Sequence, residues 1–225
     1  MKRYILATVV AAASGVFAIS GAERTRVVTV PGTITEIVAS VGVHVVYIPS
    51  ATQSVVVDAP DDIMDNIKVS FSNGTLKTEY DYKDDSGMRV NNRSKEFTVT
   101  VKGRNVTDFK TSVGASITVD GRIDAAGKSL EFEASVGSYI SCTGITADEI
   151  EVESTTGSSV ELRDISVSSI DAESSVGSSI TLTGTAGYAD LESVTSSSLN
   201  AGSLKASTGK AKKDITSSIK SNIGR

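Results

Sequence analysis

The segments Ser135-Val-Gly-Ser-Tyr-Ile140 and Ser175-Val-Gly-Ser-Ser-Ile180 are two copies of a motif that recurs from Phe109 onward. Related copies begin at Ser112, Thr155, Val194 and Ile215. The turn positions, which are Gly114, Gly137, Gly157, Gly177, Ser196 and Thr216, lie 23, 20, 20, 19 and 20 residues apart. A nearly fixed period of this length is typical of a repeat architecture. The sequence therefore contains six related units.

Apolar and polar residues alternate on both sides of each turn. Around Gly157, the apolar residues are Ile150 and Val152 before the turn and Val160 and Leu162 after it. Alternation at period two predicts two strands per unit, each with one apolar face. Because neither strand can bury that face alone, successive units are expected to stack on one another. We predict an all-β fold, a β-solenoid (β-helix) of about six 20-residue coils.

The outward positions six and four residues before each turn carry charge in register. Four consecutive coils have acidic residues at both positions, and the final coil has Lys210 and Lys212 instead. Like charges about 4.8 Å apart repel by about 0.9 kcal/mol in water. We take these eight carboxylates as the candidate binding residues: Glu131, Glu133, Glu151, Glu153, Asp171, Glu173, Asp190 and Glu192.

This acidic pattern has three interpretations. The first is a solvated face that discourages lateral strand addition and keeps the rod soluble. The second is a binding site for calcium or another divalent ion, or for a basic partner. The third is a pair of acids that cleaves a polysaccharide, but such catalysis needs two carboxyl groups in distinct environments within a cleft. We assign no residue to catalysis and none to a dedicated metal site.

The N-terminus is typical of an export signal. Lys2 and Arg3 precede an apolar run over residues 4–19, and Ser20-Gly21-Ala22 supplies a small-residue exit. This arrangement predicts a secretory signal peptide over residues 1–22. The apolar run is shorter than the roughly 20 residues that span a bilayer. We therefore expect an exported protein, in the periplasm, at the cell surface or outside the cell, with no transmembrane span after processing.

The remainder of the chain divides near residue 105 into an irregular N-terminal β segment, 23–105, and the solenoid repeats, 106–225. The first part contains all three prolines and several strand-like runs. Asn73-Gly74 between two such runs predicts a hairpin. The polar stretch Asp81–Lys95 is predicted to be an exposed loop.

Composition excludes several classes of function. The 225 residues include one Cys and one His, which leaves no disulfide framework and no multi-histidine metal site. A net charge of −5 argues against general nucleic-acid binding. The sequence has no phosphate-binding loop, dinucleotide fingerprint or nucleophile elbow, and no cofactor is predicted. Cys142 is expected to be a buried thiol, and the Ser pairs after each turn are expected to bond nearby backbone groups.

The sequence resembles the autotransporter adhesin head family of Bacteroidetes, the GIN domain. The resemblance is carried by the Val-Gly-Ser-Ser-Ile repeats, the run Ile34–Pro49 and the segments Asp61–Lys68 and Asn73–Leu76. The resemblance covers most of residues 27–220. It implies a two-sheeted, pectin-lyase-like β-helix that is exported and acts in adhesion, with no catalytic residue to transfer. This sequence departs from the family in having Val or Thr before the turn glycine and in having Ser196 and Thr216 at the last two turns.

The sequence predicts a secreted or surface protein that is not an enzyme and that binds a host or cell-surface glycan or protein. A polysaccharide-cleaving enzyme on the same scaffold is the alternative. A third possibility is a structural module that forms homo-oligomers, because an open coil end invites self-association.

Overall fold

The computed structural model describes residues 23–82 and 96–224, which form fifteen β-strands and one short 3₁₀ helix, Asp61–Asn66. The all-β prediction is confirmed. The predicted signal peptide and most of the predicted loop Asp81–Lys95 lie outside the described residues. The strands are β1 Glu23–Val28, β2 Glu36–Ser40, β3 His44–Pro49, β4 Ser54–Pro60, β5 Ile67–Ser72, β6 Thr75–Tyr80, β7 Thr98–Gly103, β8 Asp108–Ser112, β9 Ser116–Val119, β10 Ile123–Ala134, β11 Tyr139–Ser154, β12 Ser159–Ser174, β13 Ser179–Ser193, β14 Ser198–Lys213 and β15 Ser218–Ile223.

The repeats stack in parallel as a β-solenoid with coils of about 20 residues, as predicted. β11 pairs with β12 along nearly its whole length, and β12 pairs with β13 in the same manner. Each coil makes three paired runs rather than the two strands predicted, because a run of three residues such as 145–147 lies between the longer ones. The predicted inward columns are buried: Phe132, Val152, Ala172 and Leu191 are 0–1% exposed.

The turns between the strands of a coil are held in the left-handed region of the backbone. The residue before each glycine is β-branched and has positive φ, with Val136 at 52° and Thr156 at 54°. A hydrogen bond joins successive turns in this conformation: the amide of Gly137 donates to the carbonyl oxygen of Thr156 in the next coil at 3.0 Å. The same contact recurs from Gly114 and Gly157 to the following coil. The turns are therefore a stacked hydrogen-bonded column themselves.

Buried serines form a second column beside the turns. Ser158 is 2% exposed, and its hydroxyl accepts from the amide of Thr155 at 3.0 Å and donates to the carbonyl oxygen of Ala134 in the preceding coil at 2.7 Å. Ser178 and Ser197 make the equivalent contacts to Ser154 and Ser174. The prediction that these hydroxyls bond nearby backbone groups is confirmed.

The last two turns, which lack glycine, are stabilised by side chains. Ser196 takes a φ of 61°, and Asp214 accepts hydrogen bonds from the amides of Thr195 at 2.8 Å and Thr216 at 3.0 Å. The nearby hydroxyl of Ser217 and these backbone contacts lower the pKa of Asp214. The hydroxyl of Thr216, which accepts from the amide of Ser196 at 3.1 Å and donates to Asp214 at 2.9 Å, therefore takes the place of the carbonyl oxygen found at the other turns.

The solenoid begins earlier in the chain than the repeat analysis indicated. β2 and β3 lie in parallel register on β8 and β9, and β6 and β7 pair with their other edges. The turn between β2 and β3 is Ser40-Val41-Gly42-Val43, with Val41 at φ 57°. This segment is a further copy of the repeated motif, displaced from the others by the insertion of β4 to β7. One sheet therefore crosses the predicted boundary at residue 105.

The two ends of the solenoid are built differently. At the N-terminal end, β1, β4 and β5 add antiparallel strands, and the 3₁₀ helix buries Ile63 and Met64. The predicted Asn73-Gly74 hairpin joins β5 to β6. At the C-terminal end, Ile219 and Ile223 of β15 are partly buried against the core, whereas Ala211 is exposed where Leu191 is buried and Lys213 is in register with Ser193.

Candidate functional site

The eight predicted carboxylates lie side by side on the outward surface of one sheet. The strand register pairs Glu131 with Glu151 and Glu133 with Glu153, and it continues from there to Asp171 and Glu173. Asp190 and Glu192 complete the two columns. Sequence spacing alone therefore located the positions of all eight residues. Their role as a binding site stays a prediction.

Two further acids extend the first column, and sequence analysis did not assign them. Asp108 is in register with Glu131, and Glu36 on β2 is in register with Asp108. The spacing of the repeat could have predicted the position of Glu36, because Glu36 lies six residues before Gly42 just as Asp108 lies six residues before Gly114. We call these ten carboxylates the acidic ladder: Glu36, Asp108, Glu131, Glu133, Glu151, Glu153, Asp171, Glu173, Asp190 and Glu192.

Lysines form ion pairs with carboxylates near both ends of the acidic ladder. The Nζ of Lys110 lies 2.8 Å from Glu131, 3.4 Å from Glu133 and 3.9 Å from Glu36. At the other end, Lys210 lies 3.3 Å from Asp190, and Lys212 lies 2.6 Å from Glu192. The four carboxylates between these two groups of ion pairs form no ion pair with any described residue: Glu151, Glu153, Asp171 and Glu173. The negative potential is therefore least compensated in the middle of the ladder.

The pKa values of ladder residues reflect this distribution. Partial burial, together with the surrounding carboxylates, raises the pKa of Glu153. Burial and the charges of Asp190 and Glu149 raise the pKa of Asp171. By contrast, the hydrogen bond from Lys110 lowers the pKa of Glu131. Ionisation of Glu153 and of Asp171 therefore opposes folding.

The variant E153Q/D171N is expected to be more stable than the wild type at pH 7. The folded-state pKa values of Glu153 and Asp171 are raised, so ionisation of these two groups destabilises the native state at pH 7. This destabilisation decreases as the pH falls through the folded-state pKa values toward the unfolded-state values near 4. We expect a gain of about 2–4 °C in Tm at pH 7 that shrinks toward pH 4. Thermal unfolding by circular dichroism at several pH values measures it. E96Q/D124N, which removes two exposed acids outside the ladder, is the control, and equal pH profiles for the two variants would refute the prediction.

Other candidate groups have structural surroundings. His44 on β3 is half-buried, with Nδ1 2.8 Å from the Oγ of Ser116. Cys142 is buried, as expected, and burial raises the pKa of its thiol to about 12. Within residues 23–82 and 96–224, no three His, Cys, Asp or Glu side chains gather in a geometry that could hold a metal ion.

Asp108 and Glu131 are the ladder pair that comes nearest to a general acid and base. Burial raises the pKa of Asp108, whereas the hydrogen bond from Lys110 lowers that of Glu131. The pair lies on the outward surface of the sheet, in register across β8 and β10. On an open sheet surface, the two carboxyl groups do not flank a cleft that could hold and distort a sugar.

These features define a class of protein, a capped parallel β-solenoid with a regular charged surface along one sheet. The chain belongs to the family described as "putative auto-transporter adhesin, head GIN domain", whose sequence profile matches residues 33–222. The family resemblance deduced from the repeats is thereby confirmed. No curated protein shows significant similarity to the sequence.

Several solved structures share the fold. A "putative adhesin" from Bacteroides fragilis is 19% identical, with a TM-score of 0.59, and the match covers 88% of this chain and 78% of that one. A "putative lipid binding protein" from Parabacteroides distasonis is 14% identical, with a TM-score of 0.63, covering 91% and 96% of the two chains. At these identities the likeness extends to the fold alone. In the part of the chain that is described, no helix has the length and hydrophobicity needed to cross a membrane.

Proposed function

We propose that the protein is an exported, non-enzymatic adhesin-like protein whose acidic ladder binds a basic segment of a cell-surface or host protein. The single observation that carries this proposal is the uncompensated middle of the ladder, where two columns of carboxylates stack without a cation. Membership in an adhesin family supports the surface role. The basic segment at residues 2–3 and the apolar run that follows support export.

The geometry suits an extended cationic partner better than a small ion. Adjacent carboxylates recur at the spacing of the strands, about 4.8 Å, along the solenoid axis. An extended polypeptide has side chains on one face about every 6.8 Å, so Lys or Arg side chains could contact several rungs. Complementary potentials of this kind speed association and fix orientation, and their effect falls with salt.

The binding test compares two variants with the same change in net charge. E151Q/E153Q/E173Q removes three charges from the middle of the ladder, and E96Q/D120N/D124N removes three exposed charges elsewhere. We expect the purified protein to bind basic members of a matrix-protein and glycan array at low salt. The ladder variant should lose about tenfold or more in affinity, since several charge-assisted contacts of about 1 kcal/mol are removed. The control variant should change less than twofold.

Two results would contradict the proposal. Equal losses in both variants would mean that binding follows net charge rather than the ladder. No loss in either would place the binding surface elsewhere. The array is run with and without calcium, and a requirement for calcium in the wild type alone would favour the divalent-ion interpretation of the ladder.

The polysaccharide-cleaving enzyme is the runner-up. The opposite pKa shifts of Asp108 and Glu131 are the observation in its favour. Their place on an open sheet surface speaks against it, because glycoside cleavage needs carboxyl groups that flank the bond in a cleft. Release of reducing ends from acidic and neutral polysaccharides by the wild type, abolished in E131Q, would overturn the non-enzymatic proposal.

Self-assembly through the C-terminal end is the third candidate. The outer edge of β15 and that of residues 207–213 in β14 have no strand partner among the described residues. However, Lys210, Lys212 and Lys213 occupy this edge and are exposed. Edge lysines and inward-directed charges are common devices against strand addition. We therefore favour a monomer over a homo-oligomer.

A further inference from the structure

We propose that a cleft at the N-terminal end of the solenoid binds the carboxylate of an acidic sugar through Arg104. The cleft has a volume of about 360 Å³ and is formed by residues 30–33, 50–51, 53 and 103–105. It lies where β3 and β7 end, and no residue of the acidic ladder lines it, although Glu36 and Asp108 follow the lining residues Thr33 and Asn105 by three positions. The inference does not depend on the function proposed for the ladder.

The walls of the cleft are fixed by hydrogen bonds before any ligand binds. The Gln53 side chain accepts from the amide of Ile34 at 2.9 Å and donates to the carbonyl oxygen of Gly32 at 2.7 Å. The carbonyl oxygen of Gly103 accepts from the buried hydroxyl of Tyr47 and from the amide of Ser50, both at 2.7 Å. Since all three segments are tied together, little conformational entropy remains to be lost on binding.

The charge of the cleft is opposite to that of the protein. Arg104 is the one charged residue among those that line it. Arg104 is exposed and forms no ion pair with any residue in 23–82 or 96–224. No carboxylate lines the cleft, although the net charge of the chain is −5. A guanidinium presents parallel N–H donors that match a carboxylate, so the cleft is suited to an anion of that geometry.

The remaining lining groups favour a hydroxylated ligand. Thr33, Ser50 and Asn105 offer hydroxyl and amide groups, and the volume is within the range of small-molecule sites. A sugar ring presents donors and acceptors that such groups can pair with, whereas an apolar ligand would leave them unpaired. A carboxylated sugar satisfies both the guanidinium and the polar walls.

The test is a titration followed by amide chemical shifts in the ¹⁵N-labelled protein. Glucuronate and N-acetylneuraminate are the probes, glucose and N-acetylglucosamine are neutral counterparts, and acetate is the carboxylate without a ring. We expect the acidic sugars to shift the amides of Gly32, Thr33, Ala51 and Asn105, with a Kd in the millimolar range. R104Q should weaken binding by about tenfold or more, the order that a hydrogen bond to a charged group provides. R104K should be intermediate.

K128Q is the matched control, since Lys128 is an exposed cation outside the cleft with no ion pair among the described residues. It should bind as the wild type does. Unchanged binding in R104Q, an equal response to neutral sugars, or an absence of shifts up to about 50 mM ligand, roughly fiftyfold above a Kd of 1 mM, would overturn the proposal. Acetate binding as tight as that of glucuronate would also overturn it, because the ring would then contribute nothing.

Discussion

Replacing Phe132 with alanine is expected to lower the free energy of unfolding by about 3–5 kcal/mol. Phe132 is fully buried and stacks on Phe109, with ring centroids 5.1 Å apart and planes 8° apart. Phe109 in turn packs against Tyr47 at 5.3 Å. The substitution therefore opens a cavity in a row of rings that joins the repeats to the N-terminal segment. Urea unfolding followed by circular dichroism measures the loss.

The same experiment tests the division proposed near residue 105. Because β2 and β3 pair with β8 and β9, we expect the N-terminal segment and the repeats to unfold together in one transition. F132L, which retains most of the apolar volume, is the control and should cost less than about 1.5 kcal/mol. If F132A melts the repeats while the N-terminal strands persist in a second transition, the two parts are separate domains.

Replacing the turn valines with asparagine, V113N/V136N/V176N, is expected to stabilise the protein. Each valine has φ of 51–52° and is about half exposed, so it has a strained backbone and little burial to lose. The left-handed conformation costs most L-residues about 1–2 kcal/mol, whereas Asn adopts it readily and Asn-Gly is the preferred turn pair. We expect a gain of about 2 kcal/mol in total, or about 4–8 °C in Tm.

The control is V113A/V136A/V176A, which removes the branched side chains and keeps an L-residue that disfavours positive φ. The alanine variant should gain less stability relative to the wild type than the asparagine variant does. A loss of stability in the asparagine variant would mean that packing between valines of neighbouring coils outweighs the backbone strain. Differential scanning calorimetry compares the three proteins.

The sequence predicted the solenoid because its period is visible in single residues. The inward columns that contain Phe132 and Ile140 and the outward columns of the acidic ladder follow directly from a two-residue alternation around each turn. The stacking of Glu131 on Glu151 needed no further information, because in a solenoid a residue's neighbour lies one coil further along the chain.

The features that the sequence did not predict depend on contacts between distant segments. Ser40-Val41-Gly42-Val43 matches the repeat, but the next coil is 72 residues further along, at Gly114. The insertion that separates them forms the antiparallel end strands and the 3₁₀ helix. The cleft around Arg104 brings together three segments that share no motif. The hydroxyl of Thr216 replaces a backbone carbonyl as the acceptor for the amide of Ser196, which no period can indicate.

The different ends of the rod leave its length free to vary. At the N-terminal end, Ile63 and Met64 cover the hydrophobic core, and at the C-terminal end Ile219 and Ile223 of β15 pack against it beside the exposed Ala211 and Lys213. A whole coil inserted beside β12 would meet neighbouring coils with the same alternation of inward and outward residues and would leave both ends unchanged. Each insertion would lengthen the rod by about 4.8 Å and, with Asp or Glu at the two outward positions, add two carboxylates to the acidic ladder. Reach and avidity could thus be adjusted in whole-coil steps by duplication of about 20 residues of coding sequence.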